Sequence, residues 1–301
     1  MGQGYESAFV TIGDAMTYAE FESAGTGDVA VISKSFKPAT LEIARGIKRA
    51  GTPLVVDLCD YRPDNRDVMY QTKALVAEAD VITVSTPAVG AAVRDHWGRD
   101  TIVIEDPYEG PEGPPRFAPR TDRLSLTWFG HPTNIEALYP LLAGLLQMPR
   151  GPGSPAIDFE VVTTPIPSLI EALGALSGVG GEACSFRLTP WSPDANWQAL
   201  AACDMVLLPS QDNAYFQAKG ANRLIETLRA GRLPLAHPTP AYTGFSDFAW
   251  VDGDLLAGLR WALANPAEAL ARVTAGQAFI NAHFSPEAIG AKWAEALRSL
   301  A

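Results

Sequence analysis

The sequence predicts an α/β protein made of two successive parallel-sheet units, and three observations carry that prediction. Apolar runs alternate with helical stretches through the first hundred or so residues. A Pro/Gly-rich stretch from Tyr108 to Arg120 then interrupts the pattern, and the alternation restarts at Leu124. Two units of about 120 and 160 residues imply two Rossmann-like domains facing across a cleft, with ligands bound at the strand carboxyl ends. The boundaries expected are residues 1–110 for the first domain, 111–122 for a linker, 123–284 for the second domain and 285–301 for a closing helix that returns to the first.

In the first domain, DVAVISKS from Asp28, PLVVDLCD from Pro53 and DVITVST from Asp80 are apolar runs of strand length. TIVIEDP from Thr101 adds a fourth. Ahead of them, residues 1–27 offer AFVTIG from Ala8 as a strand and a helix from Asp14, so the domain is short at its start. YEGPEGPPRFAPR, from Tyr108, has five Pro or Gly in its first seven residues after the tyrosine and reads as a domain linker. The second domain supplies LSLTWFG from Leu124, a helix from about Asn134, and strands at Asp158, Ser185, Met205 and Leu233. HFSPEAIGAKWAEALRSLA, from His283, is the closing helix.

Composition narrows the function. With 301 residues and 47% apolar content the chain has ample core. The net charge of −11 is spread over both halves, 12 basic against 18 acidic residues through Thr121 and 11 against 16 afterwards. Phosphate-tracking proteins need a basic stripe, and its absence argues against DNA or RNA as a partner. No run of about eighteen apolar residues exists, and MGQGYESAF lacks the charged and apolar parts of a signal peptide. The expected location is the cytoplasm, free or against the inner membrane face. Cys59, Cys184 and Cys203 are widely spaced, without a C-x-x-C or clustered histidines, and read as buried free thiols.

The chemistry concentrates between Asp204 and Ala236. DMVLLPS is a buried strand opening into a polar loop, KGANRLIETLRAG is a helix closed by Gly231, and RLPLA restarts a strand. At 100° per residue, Lys219, Asn222, Arg223 and Glu226 share roughly a quarter turn, opposite Leu224, Ile225 and Leu228. A helix N-terminus flanked by two cations is an anion site, and a glutamate one turn deeper can accept from sugar hydroxyls. A solvated helix face is the alternative. Lys219 and Lys292 are the two lysines after Asp122, which weighs against a random surface charge at the loop.

This segment resembles the donor half of GT-B glycosyltransferases, most closely those of the large family 4 type. There a loop ending in lysine or glutamate leads into N-K/R-x-x-E, a glycine and a P-V/L-like strand; here the matching residues are Lys219, Asn222, Arg223, Glu226, Gly231 and Leu233–Leu235. The resemblance implies that Gly130, His131 and Thr133 approach the donor phosphates. It also implies that Trp191 lies where the nucleobase is held and that Ser210, Gln211 and Asp212 face the donor sugar. Each has a plainer alternative: Gly130 as a geometric turn, His131 as a cap of its own loop, Trp191 as packing at a strand end. The sequence departs from the family where Ala218 replaces the first glutamate of the E-x7-E pattern, which normally touches the transferred sugar, and in its opening residues.

On the acceptor side, Asp57 and Asp60 end one strand on opposite faces, and Asp60, the later, is the candidate to orient or deprotonate an acceptor hydroxyl. A turn-initiating role is its alternative. Ser33, Lys34 and Ser35 end another strand; Ser85 and Thr86 end a third, where Pro87 favours an N-cap. The reading is a glycosyltransferase with catalytic Asp60, Lys219 and Arg223. It uses a nucleotide-diphosphate sugar as donor, no bound cofactor and no metal, with retention as the resemblance implies. The acceptor is a glycan, a lipid-linked sugar or a small molecule. An epimerase on the same fold, a silent sugar-nucleotide binder and a periplasmic-type binder are the rivals.

Overall fold

The computed structural model describes residues 6–25, 27–149, 151, 153–298 and 300; residues 1–5 of the expected first domain and Ser299 and Ala301 of the closing helix lie outside the described residues. In chain order the elements are α1 (Tyr18–Ala24), β1 (Ala30–Ser33), α2 (Pro38–Arg49), β2 (Leu54–Leu58), α3 (Arg66–Glu78), β3 (Val81–Val84), α4 (Pro87–Trp97) and β4 (Ile102–Val103). Then come β5 (Arg123–Phe129), a 3₁₀ helix (Pro132–Ala137), α5 (Leu138–Gln147), β6 (Ala156–Thr163), α6 (Pro167–Gly180), β7 (Cys184–Pro190), α7 (Pro193–Ala202) and β8 (Met205–Leu208). The chain ends with α8 (Ala214–Ala218), α9 (Asn222–Arg229), β9 (Leu233–Ala236), α10 (Pro240–Thr243), β10 (Trp250–Val251), α11 (Leu255–Ala264), α12 (Pro266–His283) and α13 (Pro286–Arg298). Among the described residues no helix is long and apolar enough to cross a membrane.

Two compact units result. The first comprises the chain through Pro107, the segment Asn213–Gly220 and the end from Phe284; the second comprises Tyr108–Asp212 and Ala221–His283. The division falls at Pro107, so the stretch expected as a linker is part of the second unit. Lys219 belongs to the first unit, whereas Arg223 belongs to the second.

The first unit is built on a parallel sheet in the order β1-β2-β3-β4. Leu54, Val55, Val56 and Leu58 of β2 are buried, as expected for a strand covered on both faces. Ile43 and Ile47 of α2 and Leu75 and Val76 of α3 complete this core. Residues 6–17 contain no strand, contrary to the reading of AFVTIG. The first helix starts at Tyr18 because Thr17 and Glu20 form a reciprocal capping box there, four residues later than expected. In α13, Ile289 and Ala296 pack against Ile104, and Lys292 pairs with Glu105 at 2.6 Å.

The second unit carries a six-stranded parallel sheet in the order β10-β9-β8-β5-β6-β7. Its interior strands β8 and β9 are buried at every position. Pro234 is tolerated inside β9 because β10 pairs with Leu235 and Ala236, so no ladder bond from its missing N–H is required on that side. Helix α9 is buried nearly all round, with Leu224 and Leu228 at 0% exposure. Each such leucine contributes about 1.5–3 kcal/mol relative to exposure.

Residues Tyr108–Arg116 form a strap tied along α9. Five prolines and glycines deny it regular structure, so its backbone groups pair outward. Gly113 N–H donates to Arg229 O (3.1 Å) and Arg116 N–H to Gly231 O (3.0 Å). Gln277 Nε2 donates to both Gly113 O (2.7 Å) and Arg229 O (2.8 Å). Arg229 pairs with Glu112 at 2.7 Å and lies 4.2 Å from the Tyr108 ring centre. Arg232, 3% exposed, donates to Pro114 O, Ala230 O, Gly231 O and Ala201 O, gathering carbonyls of the strap and of two helix ends. The approach is possible because Gly231 has φ +71° and no side chain; a Cβ there would lie 2.4 Å from Pro114 O.

Gly231→Ala is expected to lower stability by about 2–3 kcal/mol, of which the left-handed backbone alone costs about 1–2. Chemical denaturation followed by tryptophan fluorescence checks this. A loss under about 0.5 kcal/mol, the range of neutral surface substitutions, would mean that the strap yields freely.

Candidate functional site

All strands of the second unit are parallel, so their C-terminal ends share one edge, where ligands of open α/β sheets bind. At the end of β5, Gly130 N–H donates to Val162 O (3.2 Å) and Thr163 Oγ1 donates to Gly130 O (2.7 Å). A Cβ on Gly130 would lie 3.2 Å from the Trp128 ring and 3.5 Å from Arg223 Nη1, so this turn and the first turn of α9 are neighbours. His131 caps the 3₁₀ helix: its Nδ1 accepts from Thr133 N–H (3.3 Å) and lies 3.0 Å from Thr133 Oγ1. That is the loop-capping alternative, and it leaves Nε2 outside the cap.

The first turn of α9 has no side-chain cap. Its N-cap, Ala221, offers no side-chain acceptor to the terminal amides, and Asn222 at the first helical position is exposed. Arg223 Nη1 is shielded from solvent yet has no hydrogen-bond partner. The same is true of Trp128 Nε1, on the other side chain that borders the Gly130 turn. Two buried orphan donors flanking one glycine turn are costly without an acceptor, and a bound anion would supply one.

The neighbouring strand ends bring further candidates. Trp191, after β7, is 54% exposed, and its backbone N–H donates to Thr163 O (3.0 Å) at the end of β6. After β8, Ser210 N–H donates to His237 Nδ1 (3.1 Å), and Gln211 Nε2 donates to Glu136 Oε2 (3.0 Å); Asp212 closes this part of the unit. His237, at the end of β9, was not singled out by sequence. Its signal was its place directly after an apolar strand run.

Glu226 is placed differently from the reading as an open helix face. It is 9% exposed, and its carboxylate accepts from the strap: Glu109 N–H at 2.6 Å on Oε1 and Gly110 N–H at 3.0 Å on Oε2. Burial pushes its pKa above the ordinary glutamate range, the two amide bonds oppose that, Glu109 adds to it and Arg229 opposes it.

Lys219 is not on the helix of Arg223. A separate short helix, α8, is capped by Asn213 Oδ1 on Phe216 N–H, and Lys219 ends it in an extended conformation before Gly220. The continuous 100° wheel from Lys219 to Glu226 therefore breaks at residues 219–221. In the first unit Lys219 Nζ lies 4.3 Å from the Tyr215 ring centre, and Arg62 approaches the same ring at 5.0 Å. Elsewhere in that unit Asp57 accepts from Ser33 Oγ (2.7 Å) and Thr83 Oγ1 (2.8 Å), while Asp60 is exposed beyond β2. Lys34, at φ +51°, has its pKa raised by neighbouring Cys59 foremost, with burial opposing and Asp106, Asp60 and Asp57 adding. Burial pushes the Cys59 thiol up to about 11, so it is no thiolate nucleophile at neutral pH. Thr86 Oγ1 caps Val89 N–H (3.2 Å) and donates to Ala218 O (3.0 Å).

A cavity of 320 Å³ lies at the opposite ends of β5–β7, bordered by Arg123, Asp158, Glu160 and Arg187. Arg123 pairs with Asp158 and Arg187 with Glu160, so its charges neutralise one another. Strand starts are not where this architecture binds ligands, and the loop edge is the stronger site.

Two α/β units, each on a parallel sheet, are the arrangement of the GT-B fold. Solved structures agree. HepE (Alr3699) of Anabaena, in complex with UDP, superposes with a TM-score of 0.68 at 17% identity over 89% of this chain and 78% of that one. The UDP-forming α,α-trehalose-phosphate synthase of Burkholderia xenovorans gives 0.68 at 13% identity over 94% and 76%. An E. coli trehalose-6-phosphate structure bound with UDP-2-fluoro glucose gives 0.69 at 12% over 93% and 75%. No protein-family model and no curated protein matches the chain.

Because its folded pKa is raised, Glu226 contributes stability in its protonated form, fully present below the ordinary value of 4.5 and lost as pH rises through the raised one. Carboxyl NMR with Glu226→Gln as the assignment control should place its titration above 4.5. A titration at or below that value would mean that the two amide donors outweigh burial.

Proposed function

We propose that the protein is a glycosyltransferase that moves a sugar from a nucleoside-diphosphate sugar to a hydroxyl acceptor. The observation that carries this reading is the orphaned Nη1 of Arg223 at the uncapped start of α9, beside the Gly130 turn. A diphosphate there satisfies the guanidinium and the uncapped helix amides together. Solved neighbours of this fold hold UDP or a UDP sugar, which makes UDP the first nucleotide to test.

In this reading Trp191 stacks on the base and Glu226 accepts from the ribose hydroxyls. Gly130, Thr133 and Asn222 border the phosphates, while His131, Ser210, Gln211 and Asp212 border the transferred sugar. Negative charge grows on the diphosphate as the glycosidic bond breaks, so Arg223 stabilises the transition state more than the ground state. Lys219 is proposed as a second cation for the same leaving group on the strength of its sequence motif. Together they take the role that a metal ion plays in other transferases. The first unit supplies the acceptor side, with Asp60 accepting a proton from the incoming hydroxyl. Retention at the anomeric carbon completes the proposal.

Arg223→Ala and Lys219→Ala are each expected to lower turnover about 10- to 100-fold, the loss of one charged hydrogen bond to the leaving group. Release of UDP from UDP sugars, with or without acceptor, is the assay, and EDTA should leave it unchanged. Wild-type rates in both variants, or activity abolished by EDTA and restored by manganese, would overturn the assignment. An isomerised sugar nucleotide as the product would identify an epimerase instead.

A further inference from the structure

The strap is more than a tether, because one point of it meets the carboxylate of Glu226. Among the described residues Glu226 is a buried carboxylate without an ion pair: of the two arginines of its helix, Arg229 is engaged with Glu112 and Arg223 keeps its Nη1 without a partner. Its hydrogen-bond donors are two consecutive backbone amides, one on each oxygen. A carboxylate offers about four lone-pair positions, so two acceptor positions remain. Burying such a group without a counterion opposes folding, an arrangement found where a site needs the group more than the fold does.

Gly110 is fitted to this contact. A Cβ there would lie 2.6 Å from Glu226 Oε2 and 2.7 Å from the Trp197 ring, which faces the strap from α7. Any side chain at residue 110 must push back either the carboxylate or the half-buried indole. The amides of Glu109 and Gly110 fix both oxygens, so the plane of the carboxylate and its two remaining acceptor positions are set before a ligand arrives.

We propose that Gly110 and the backbone amide of Glu109 are positioning residues for the ribose of the nucleoside diphosphate, holding Glu226 in the orientation that accepts its two vicinal hydroxyls. This rests on the reading of Glu226 as the ribose acceptor. It also makes Glu226→Ala an impure probe of binding, since that change strips two buried amides of their acceptor along with the ligand contact.

The test compares affinity for UDP with affinity for 2′,3′-dideoxy-UDP by calorimetry. The ratio isolates the ribose hydroxyls, and a purely structural role of the strap would not move it. In the wild type the ratio is expected to be about 10-fold or more, as for charge-assisted hydrogen bonds. In Gly110→Ala it should fall towards unity while dideoxy-UDP binding is retained. An unchanged ratio in Gly110→Ala would overturn the proposal and leave the strap structural; a larger ratio would also overturn it, by showing that the strap competes with ribose. A wild-type ratio of unity would instead refute the ribose reading of Glu226.

Should Gly110→Ala fail to fold, hydrogen exchange on the wild type decides. The Glu109 and Gly110 amides should stay as protected, or become more so, when UDP is added. Loss of their protection with UDP, but not with dideoxy-UDP, would overturn the proposal.

Discussion

The second unit depends on one constraint: helix α9 is buried nearly all round, yet carries polar groups that must each find a partner. Its leucines are shared with the sheet and with α12, which fixes where the helix lies. Its polar residues then dictate what surrounds it. Glu226 takes the strap amides, Arg229 takes Glu112 and Asn281, and the backbone carbonyls at its C-terminal end take Gly113, Arg116 and Gln277. Among the described residues Arg223 Nη1 at the first turn and Arg229 Nε at the last are buried nitrogens without a hydrogen-bond partner. The strap closes the C-terminal end of the helix, whereas its first turn has no side-chain cap.

The strap follows from the same constraint. Proline and glycine make it unable to join a sheet, and the physical consequence is a set of unpaired backbone groups rather than mobility. Buried side chains of α9, α12 and Arg232 satisfy them. A stretch whose composition reads as a linker is thereby held as firmly as an element of secondary structure. Composition reports what a backbone cannot form; it does not report whether neighbours will supply the missing partners.

Much of the fold was legible because alternation and length are local properties. The strand runs at Leu54, Val81, Met205 and Leu233 were correct, since continuous apolar segments of four or five residues between helices are what buried parallel strands require. AFVTIG misled for the opposite reason: alternation makes a strand only if a sheet edge receives it, and residues 6–17 pair with none. Around Lys219 the wheel argument assumed one helix from Lys219 through Glu226. A five-residue helix capped by Asn213 is too short to leave a periodicity, and it displaced Lys219 into the other compact unit.

The candidate site was legible in its residue types and less so in their roles. Arg223 and the Gly130 turn come from segments almost a hundred residues apart and meet because β5 and β8 are neighbours in the sheet, which sequence spacing cannot report. His237 escaped notice because a lone histidine after a strand carries no pattern of its own. The sequence reading places Glu226 on an open helix face, and the structure buries it. A helical wheel separates polar from apolar sides, whereas here the polar side is buried as well, against a strap that the wheel does not contain. A carboxylate on an open face would meet water and bind ribose weakly. Here two backbone amides hold the carboxylate, one on each oxygen, so its orientation is set by the strap and not by the helix face alone.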